Sequence, residues 1–135
     1  MARKKRISAD VGDWKKITKK TFEKLQLRTG TIADVKRHPN LVGAYVLYVD
    51  MPVADEAFQI VASLEDSYTL NQLLGKQVIV VCNIKHEWVA GVESQGMILV
   101  ATDGEKPVLI SPNKKVPPGS RVSGIMNGYY HHHNE

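Results

Sequence analysis

The chain has 135 residues, of which 43% are apolar, and a formal charge of +4; this size suits one domain and leaves little room for a second. Its single cysteine excludes an intramolecular disulfide framework and a cysteine-based zinc site. No stretch approaches the roughly 20 apolar residues of a membrane span, and the first residues lack the apolar run of a secretory signal. These features predict a soluble, intracellular protein.

The charge is unevenly distributed along the chain. Residues 1–24 contain nine basic and three acidic residues, whereas residues 25–135 contain nine basic and eleven acidic ones. Few periodic apolar positions occur before residue 17, so residues 1–16 are predicted to be a basic arm, followed by a domain over 17–125 and a tail over 126–135. The arm begins with four adjacent cations that either contact phosphates or form a solvated tail: Arg3, Lys4, Lys5 and Arg6.

The first predicted elements are a helix and three strands. Thr18 or Thr21 is suited to cap a short helix. Alternation over residues 27–36, with 27, 29, 31, 33 and 35 on one face, predicts a half-buried strand in which Gly30 marks a bulge or bend. The HPN segment at 38–40 ends this strand, and strands follow over 44–50 and 57–63.

The second half begins with another short helix. Thr69 and Gln72 form a capping box, and the helix ends at Gly75. Strands are predicted over 77–85, 96–102 and 107–110, with a last edge strand over 121–125. Short strands at this density indicate an all-β barrel or sandwich, and one helix between the third and fourth strands favours a five-stranded OB barrel.

A polar rim is predicted where two of these strands end. One face of the strand over 77–85 is apolar throughout, whereas the other becomes polar at Asn83 and Lys85. After a hairpin-like loop, Ser94 and Gln95 lead into the strand that contains Met97. The two polar strand ends would meet at one rim, which is where barrel folds place a binding groove.

Seven segments of the chain, in the same order, resemble the tRNA-binding domain family. This domain occurs as a separate small protein and at the C-terminus of many methionyl-tRNA synthetases. It also occurs on the bacterial phenylalanyl-tRNA synthetase beta chain and in a cytokine-like synthetase cofactor. The segments are residues 22–35 (FEKLQLRTGTIADV), 38–40 (HPN), 45–50 (YVLYVD), 59–64 (QIVASL), 74–84 (LGKQVIVVCNI), 91–97 (GVESQGM) and 116–122 (VPPGSRV). The resemblance implies an OB fold without catalysis of its own, a homodimer joined through the terminal extensions, and binding of tRNA by shape rather than sequence.

The resemblance also implies a set of RNA-binding residues. The groove would be lined by Asn83, Lys85, Ser94, Gln95 and Met97, with Lys36 and Arg37 as phosphate contacts. Four of these residues have a structural alternative: Asn83 would only cap a strand, Ser94 and Gln95 would form a turn, and Met97 would belong to the core. The chain departs from the family at residues 41–44 (LVGA), where a lysine is expected, and at 86–90 (HEWVA), where several basic residues are expected.

A tryptophan, the single cysteine and a run of histidines lie outside that set. Trp88 would stack on a base, or pack on the barrel or a second subunit. Cys82 is expected to be an inert core residue, and the histidines at 131–133 are assigned no metal. No catalytic triad or phosphate loop is recognisable.

The sequence thus predicts a cytoplasmic, structure-specific but sequence-tolerant tRNA-binding protein that is not an enzyme. Its expected partners are tRNA, a second copy of the chain and an aminoacyl-tRNA synthetase, with no cofactor, metal, membrane or small-molecule substrate. Two alternatives remain. One is a dimeric module that binds unfolded polypeptides, as in an export-related chaperone branch of the family, and the other is a scaffold subunit of a synthetase.

Overall fold

The computed structural model describes residues 14–52, 54–55 and 57–126. The four cations at positions 3–6 and the histidines at 131–133 lie outside the described residues. In chain order the elements are α1 (Lys19–Phe22), β1 (Leu27–Arg37), β2 (Tyr45–Asp50), β3 (Phe58–Ala62), α2 (Leu70–Leu73), β4 (Gln77–Val81), β5 (Glu87–Val89), β6 (Val92–Ser94), β7 (Met97–Ile98), β8 (Val100–Asp103) and β9 (Lys106–Leu109). Among the described residues, no helix is long and apolar enough to cross a membrane.

Five strands form one antiparallel sheet in the order β3-β2-β1-β4-β7, while β5–β6 and β8–β9 are separate hairpins. The edge of β3 that does not pair with β2 forms hydrogen bonds with the segment before β7. The backbone N–H of Gln95 donates to the carbonyl of Gln59 at 2.7 Å, and the Ser94 hydroxyl accepts from the N–H of Val61 at 3.0 Å. These bonds nearly close the sheet, which confirms the expected all-β, five-stranded barrel with a helix between its third and fourth strands.

The core lies on both faces of β4, whose five residues are all buried. Val78 and Val80 belong to the main cluster inside the barrel. Ile79 and Val81 form a second cluster, against which Phe22 of α1 packs. The helix therefore covers the outer face of β4, and this explains why β4 reads as a continuous apolar run rather than an alternating one.

Both helix N-termini are capped as the sequence predicts. The Thr18 hydroxyl accepts from the N–H of Thr21 at 3.0 Å. Thr69 and Gln72 form a complete capping box, because the threonine hydroxyl accepts from the Gln72 N–H and the glutamine oxygen accepts from the Thr69 N–H. These short helices start where local side-chain chemistry satisfies their first N–H groups.

The predicted burial of β1 is wrong at Ile32 and Ala33 and correct again at Val35. The register with β2 shifts between Ile32 and Asp34, so the bulge lies at Ala33 rather than at Gly30. Ile32 already faces the main core cluster, and the extra residue lets Val35, three positions later, face the same cluster while Ala33 stays exposed. Gly30 has a different role, because a Cβ at this position would lie 2.5 Å from Cγ1 of Val49.

Three predicted strands are also corrected. The strand over 77–85 ends at Val81, because the chain turns at residues 82 and 83. The strand over 96–102 divides into β7 and β8, and β8 pairs with β9 instead of β4. The edge strand over 121–125 is reduced to a single bridge between Arg28 and Arg121, since the remaining residues make no further ladder.

Candidate nucleic-acid interface

The β5–β6 hairpin separates two surface grooves. The hairpin groove has a volume of about 460 Å³, and its lining includes Lys36, Arg37, Tyr48, Gln59, Trp88 and Glu93. The barrel groove has a volume of about 360 Å³, and its lining includes Ile60, Ile84, Lys85, Glu87, Ser94 and Met97. Six of the predicted RNA-binding residues are thus divided between the two sides of one hairpin, whereas Asn83 and Gln95 line neither groove.

The hairpin groove combines cations with aromatic rings. Trp88 is 70% exposed although it belongs to a strand. The Lys36 ammonium lies 5.2 Å from the centroid of the Tyr48 ring, and the Arg37 guanidinium is 3.2 Å from the Glu65 carboxylate. Residues that are about fifty positions apart in sequence thus share one surface. Aromatic faces and cations in this arrangement suit unstacked bases and phosphates.

A hydrogen-bonded latch, made by His38 and Asn40, holds the hairpin beside the end of β1. Buried His38 donates from Nε2 to the carbonyl of Val89 at 2.8 Å, and its Nδ1 accepts from the N–H of Asn40 at 2.9 Å. The Asn40 side chain donates to the carbonyl of Ala90 at 2.9 Å. Ala90 has a positive φ of 49°, so the latch fixes a tight turn that few residues adopt. From the sequence, residues 38–40 were predicted only to end a strand, and their contacts with the hairpin were not foreseen.

Asn83 is exposed, but both ends of its amide are bonded to the protein's own backbone. Its Nδ2 donates to the carbonyl of Lys24, and its Oδ1 accepts from the N–H of Gln26, both at 2.8 Å. Asn83 therefore ties the segment between α1 and β1 to the end of β4. Its contact with RNA stays a prediction.

Ser94 and Gln95 contribute to closing the barrel. Ser94 accepts from the N–H of Val61, while Oε1 of Gln95 accepts from the N–H of Gln59 at 2.9 Å. The Gln59 amide donates in turn to the carbonyl of Glu93 at 2.9 Å. These side chains replace ladder hydrogen bonds along the edge of β3, and this was not visible in the sequence, because the partners are more than thirty residues apart.

Lys85 and Met97 both reach the barrel groove. Met97 pairs with Val81 in the sheet, yet it is 44% exposed, and Lys85 is exposed. Much of the remaining lining is apolar, from β3 and from residues that follow β4. This groove is consequently less basic than the resemblance alone implies.

The single cysteine has no partner suited to catalysis in the described structure. The Cys82 sulfur lies 3.9 Å from that of Met51. Burial raises the pKa of its thiol above the ordinary value of 9.0, and the charge of Arg28 opposes this rise. The thiol is therefore neutral and weakly nucleophilic at physiological pH. Over the described ranges, no group of three or more His, Cys, Asp or Glu side chains could hold a metal ion.

A nearly closed five-stranded barrel with polar and aromatic grooves at one hairpin defines a small β-barrel binding domain. Residues 27–121 match the family model described as "Putative tRNA binding domain". Because the match spans more than half of the sequence, the chain belongs to this family.

Relatives of this chain include methionine–tRNA ligases. The methionine–tRNA ligase of Thermococcus kodakarensis is 45% identical over 101 residues, which cover 75% of this chain but only 13% of the ligase. The corresponding enzyme of Pyrococcus horikoshii is also 45% identical, over 14% of its length. The chain thus corresponds to a small part of these enzymes.

Two similar solved structures are covered almost completely by this chain. A protein from Pyrococcus horikoshii described as related to methionyl-tRNA synthetase superimposes with a TM-score of 0.73 at 31% identity, covering 81% of this chain and 99% of its own. The chaperone CsaA of Bacillus anthracis gives a TM-score of 0.71 at 26% identity, with coverages of 81% and 100%. Both are homologous to this chain.

Proposed function

We propose that the protein binds tRNA by its shape, with little dependence on sequence, through the surface around the β5–β6 hairpin. The observation that supports this proposal most strongly is the position of Trp88. It is largely exposed and shares the hairpin groove with Lys36 and Arg37. A base can stack on the indole while the two cations neutralise the adjoining phosphates. Membership of the family favours tRNA as the nucleic acid.

Sequence tolerance follows from the hydrogen bonds at the two grooves. Reading a base requires free amide or hydroxyl groups at the base edge. Both ends of the Asn83 amide, Nε2 of Gln59, Oε1 of Gln95 and the hydroxyl of Ser94 are each bonded to a backbone group. Ammonium, guanidinium and aromatic surface therefore make up much of what RNA would meet, and these groups bind every nucleotide in a similar way.

A non-catalytic role accompanies this proposal. The similarity to methionyl-tRNA synthetases is limited to one domain, so the chain would deliver or retain tRNA for a synthetase rather than aminoacylate it. Such a role places the protein in the cytoplasm. Co-sedimentation with the methionyl-tRNA synthetase of the same organism, with and without tRNA, tests the association; separate sedimentation in both conditions would contradict it.

Fluorescence of Trp88 provides a direct test of the RNA contact. The chain has two tryptophans, so a Trp14→Phe variant reports on Trp88 alone. We expect unfractionated tRNA to quench this signal at 50 mM salt. By filter binding, Trp88→Ala should weaken binding by about 1–3 kcal/mol, roughly a five- to 150-fold rise in Kd, and Trp88→Phe should retain most of the affinity because a ring remains.

Trp14→Ala is the matched control, because Trp14 is equally exposed but lies outside the hairpin groove. It should leave Kd within about twofold. Purified single tRNA species should compete with one another equally, and duplex DNA of equal charge should compete less well. Absence of tRNA binding by the wild-type protein at low salt would disprove the proposal.

We also propose that the protein is a homodimer joined at the terminal groove. This groove is formed by α1 and residues 121–126, and its apolar lining includes Ile17, Phe22, Leu25 and Met126. Several of these side chains are highly exposed, among them Met126 at 80%, and a second copy would cover them. Light scattering after gel filtration should give a dimer for the wild type and a monomer for Leu25→Asp. Val42→Asp, at a fully exposed position elsewhere, should remain dimeric.

The apolar lining of the barrel groove favours a second candidate function, the binding of unfolded polypeptides. Ile84, Met97 and Val100 offer a surface that an extended apolar segment could occupy, and CsaA, a solved homologue, is described as a chaperone. Reduced, carboxymethylated α-lactalbumin is a suitable probe. Binding of this polypeptide that is weakened by Met97→Glu, together with no binding of tRNA, would favour this alternative.

A further inference from the structure

The positive charge at the start of the chain extends into the folded domain. Residues 14–28 contain five lysines and one arginine but only one acidic residue, Glu23. The helix α1 and the turn after it therefore belong to a strongly basic segment whose backbone is ordered. A charge in a fixed position can contact a particular phosphate, whereas a charge on a free tail contributes less specifically.

Two faces of α1 have different surroundings. One face turns towards the terminal groove, whose lining includes Lys19, Phe22 and Glu23. On this face Lys19 is 3.9 Å from the carboxylate of Glu23. Lys20 and Lys24 are also four residues apart, but neither lines that groove, and both are exposed. Within the described ranges, no carboxylate lies within ion-pair distance of either ammonium group.

Asn83 connects this second face to the RNA-binding surface. Its two hydrogen bonds, to the carbonyl of Lys24 and from the N–H of Gln26, hold the end of α1 against the end of β4. Lys85, which lines the barrel groove, follows Asn83 by two residues. The backbone of Lys24 is consequently fixed next to the segment that carries Lys85.

We propose that Lys20 and Lys24 form, together with Lys85, a phosphate-binding strip that extends the RNA surface from the barrel groove onto α1. In this arrangement Asn83 is a positioning residue, which acts on RNA through Lys24 rather than by contacting a base. The strip rests on the proposed function, since its ligand is the tRNA backbone. It adds a location, α1 and the turn after it, and two residues, Lys20 and Lys24, that belong to neither the hairpin groove, the barrel groove nor the basic arm.

The salt dependence of tRNA binding tests the strip. For RNA each lost phosphate contact lowers the slope of log Kd against log salt by about 0.7–0.9. The double variant Lys20→Ala/Lys24→Ala should therefore lower the slope by about 1.4–1.8 between 50 and 300 mM KCl, with a loss of affinity of roughly tenfold or more at low salt. Lys20→Arg/Lys24→Arg should retain the wild-type slope, because both charges remain.

Lys114→Ala/Lys115→Ala is the matched control. These exposed lysines lie next to Val116, which is bonded to Gln77 at the opposite end of β4 from Asn83. The control removes the same charge and should change the slope by less than about 0.3. If wild type binds tRNA but both double variants behave alike, the strip is disproved and the proposed function stands. If wild type does not bind at all, the proposed function fails and the strip with it.

A double-mutant cycle tests the role of Asn83. If Asn83 acts through Lys24, Asn83→Ala should weaken binding about fivefold in the wild-type background but less than about twofold in the Lys20→Ala/Lys24→Ala background. Equal losses in both backgrounds would show that Asn83 contacts RNA directly. Thermal melting of each variant establishes that the barrel remains folded.

Discussion

Gly30 illustrates how one residue limits the barrel. A Cβ built at this position lies 2.5 Å from Cγ1 of Val49 and 3.2 Å from Cε of Met51, both of them core side chains. Neither neighbour can move freely, because each is almost fully buried. The close approach of β1 to β2 at this point therefore requires the absence of a side chain.

We predict that Gly30→Ala destabilises the protein by about 1–3 kcal/mol, because the added methyl group overpacks the core. Urea denaturation followed by circular dichroism measures the change. Gly124→Ala is the control, since a Cβ there comes no closer than 3.8 Å to a neighbour. An unchanged midpoint for Gly30→Ala would contradict the packing described.

Residue-level predictions from the sequence succeeded where the partner is local. Thr69 and Gln72 are three positions apart, so their capping box could be recognised in the sequence. The roles of Asn83 and Ser94 could not, because their partners lie 57–59 and 33 positions away. Ala33 was misassigned for a related reason: its bulge is visible only in the register between β1 and β2.

At the scale of elements, the β5–β6 hairpin depends on its latch. The hairpin pairs only with itself within its sheet, and a two-stranded ribbon is marginally stable alone. The bonds from His38 to Val89 and from Asn40 to Ala90 supply anchoring at its turn. The position of Trp88 in the hairpin groove follows from them.

We predict that His38→Ala frees the hairpin and costs about 1–3 kcal/mol, because the buried carbonyl of Val89 and the N–H of Asn40 lose their partner. In the Trp14→Phe background, the fluorescence anisotropy of Trp88 should fall as the hairpin becomes more mobile. His86→Ala is the matched control: His86 is exposed, and among the described residues its ring is bonded to Glu93 near the strand ends rather than to the turn. Equal anisotropy in the two variants would show that the latch does not order the hairpin.

The elements themselves were predicted with uneven success. The first three strands, both helices and the buried start of β4 follow from local periodicity and caps. The division of residues 96–102 into β7 and β8 did not, since it depends on which neighbour each half pairs with. The sequence predicted one polar rim rather than two grooves. The hairpin that separates the grooves is held by contacts with residues that are distant in sequence, so its position could not be predicted.

At the scale of the whole molecule, the basic and acidic residues are distributed over three regions of the chain. Residues 1–13 carry four basic and two acidic residues, residues 14–24 carry five and one, and residues 25–135 carry nine and eleven. The sequence alone placed the basic arm at residues 1–16 and began the domain at residue 17. The structure places the lysines of the second region on α1 and its flanks, so the arm and the folded domain both attract polyanions.

Removal of the arm should therefore weaken tRNA binding without abolishing it. Deleting residues 1–13 removes Arg3, Lys4, Lys5 and Arg6 but no described element, so we expect an unchanged melting temperature. If all four cations contact phosphates, the slope of log Kd against log salt falls by about 3, at 0.7–0.9 for each. A full-length variant with the four cations replaced by glutamine should behave like the deletion, because charge rather than length is lost. Filter binding with unfractionated tRNA at 50–300 mM KCl measures both. A slope equal to that of the wild type would show that the folded domain alone supplies the electrostatic attraction, with Lys20, Lys24 and Lys85 as its strongest candidates.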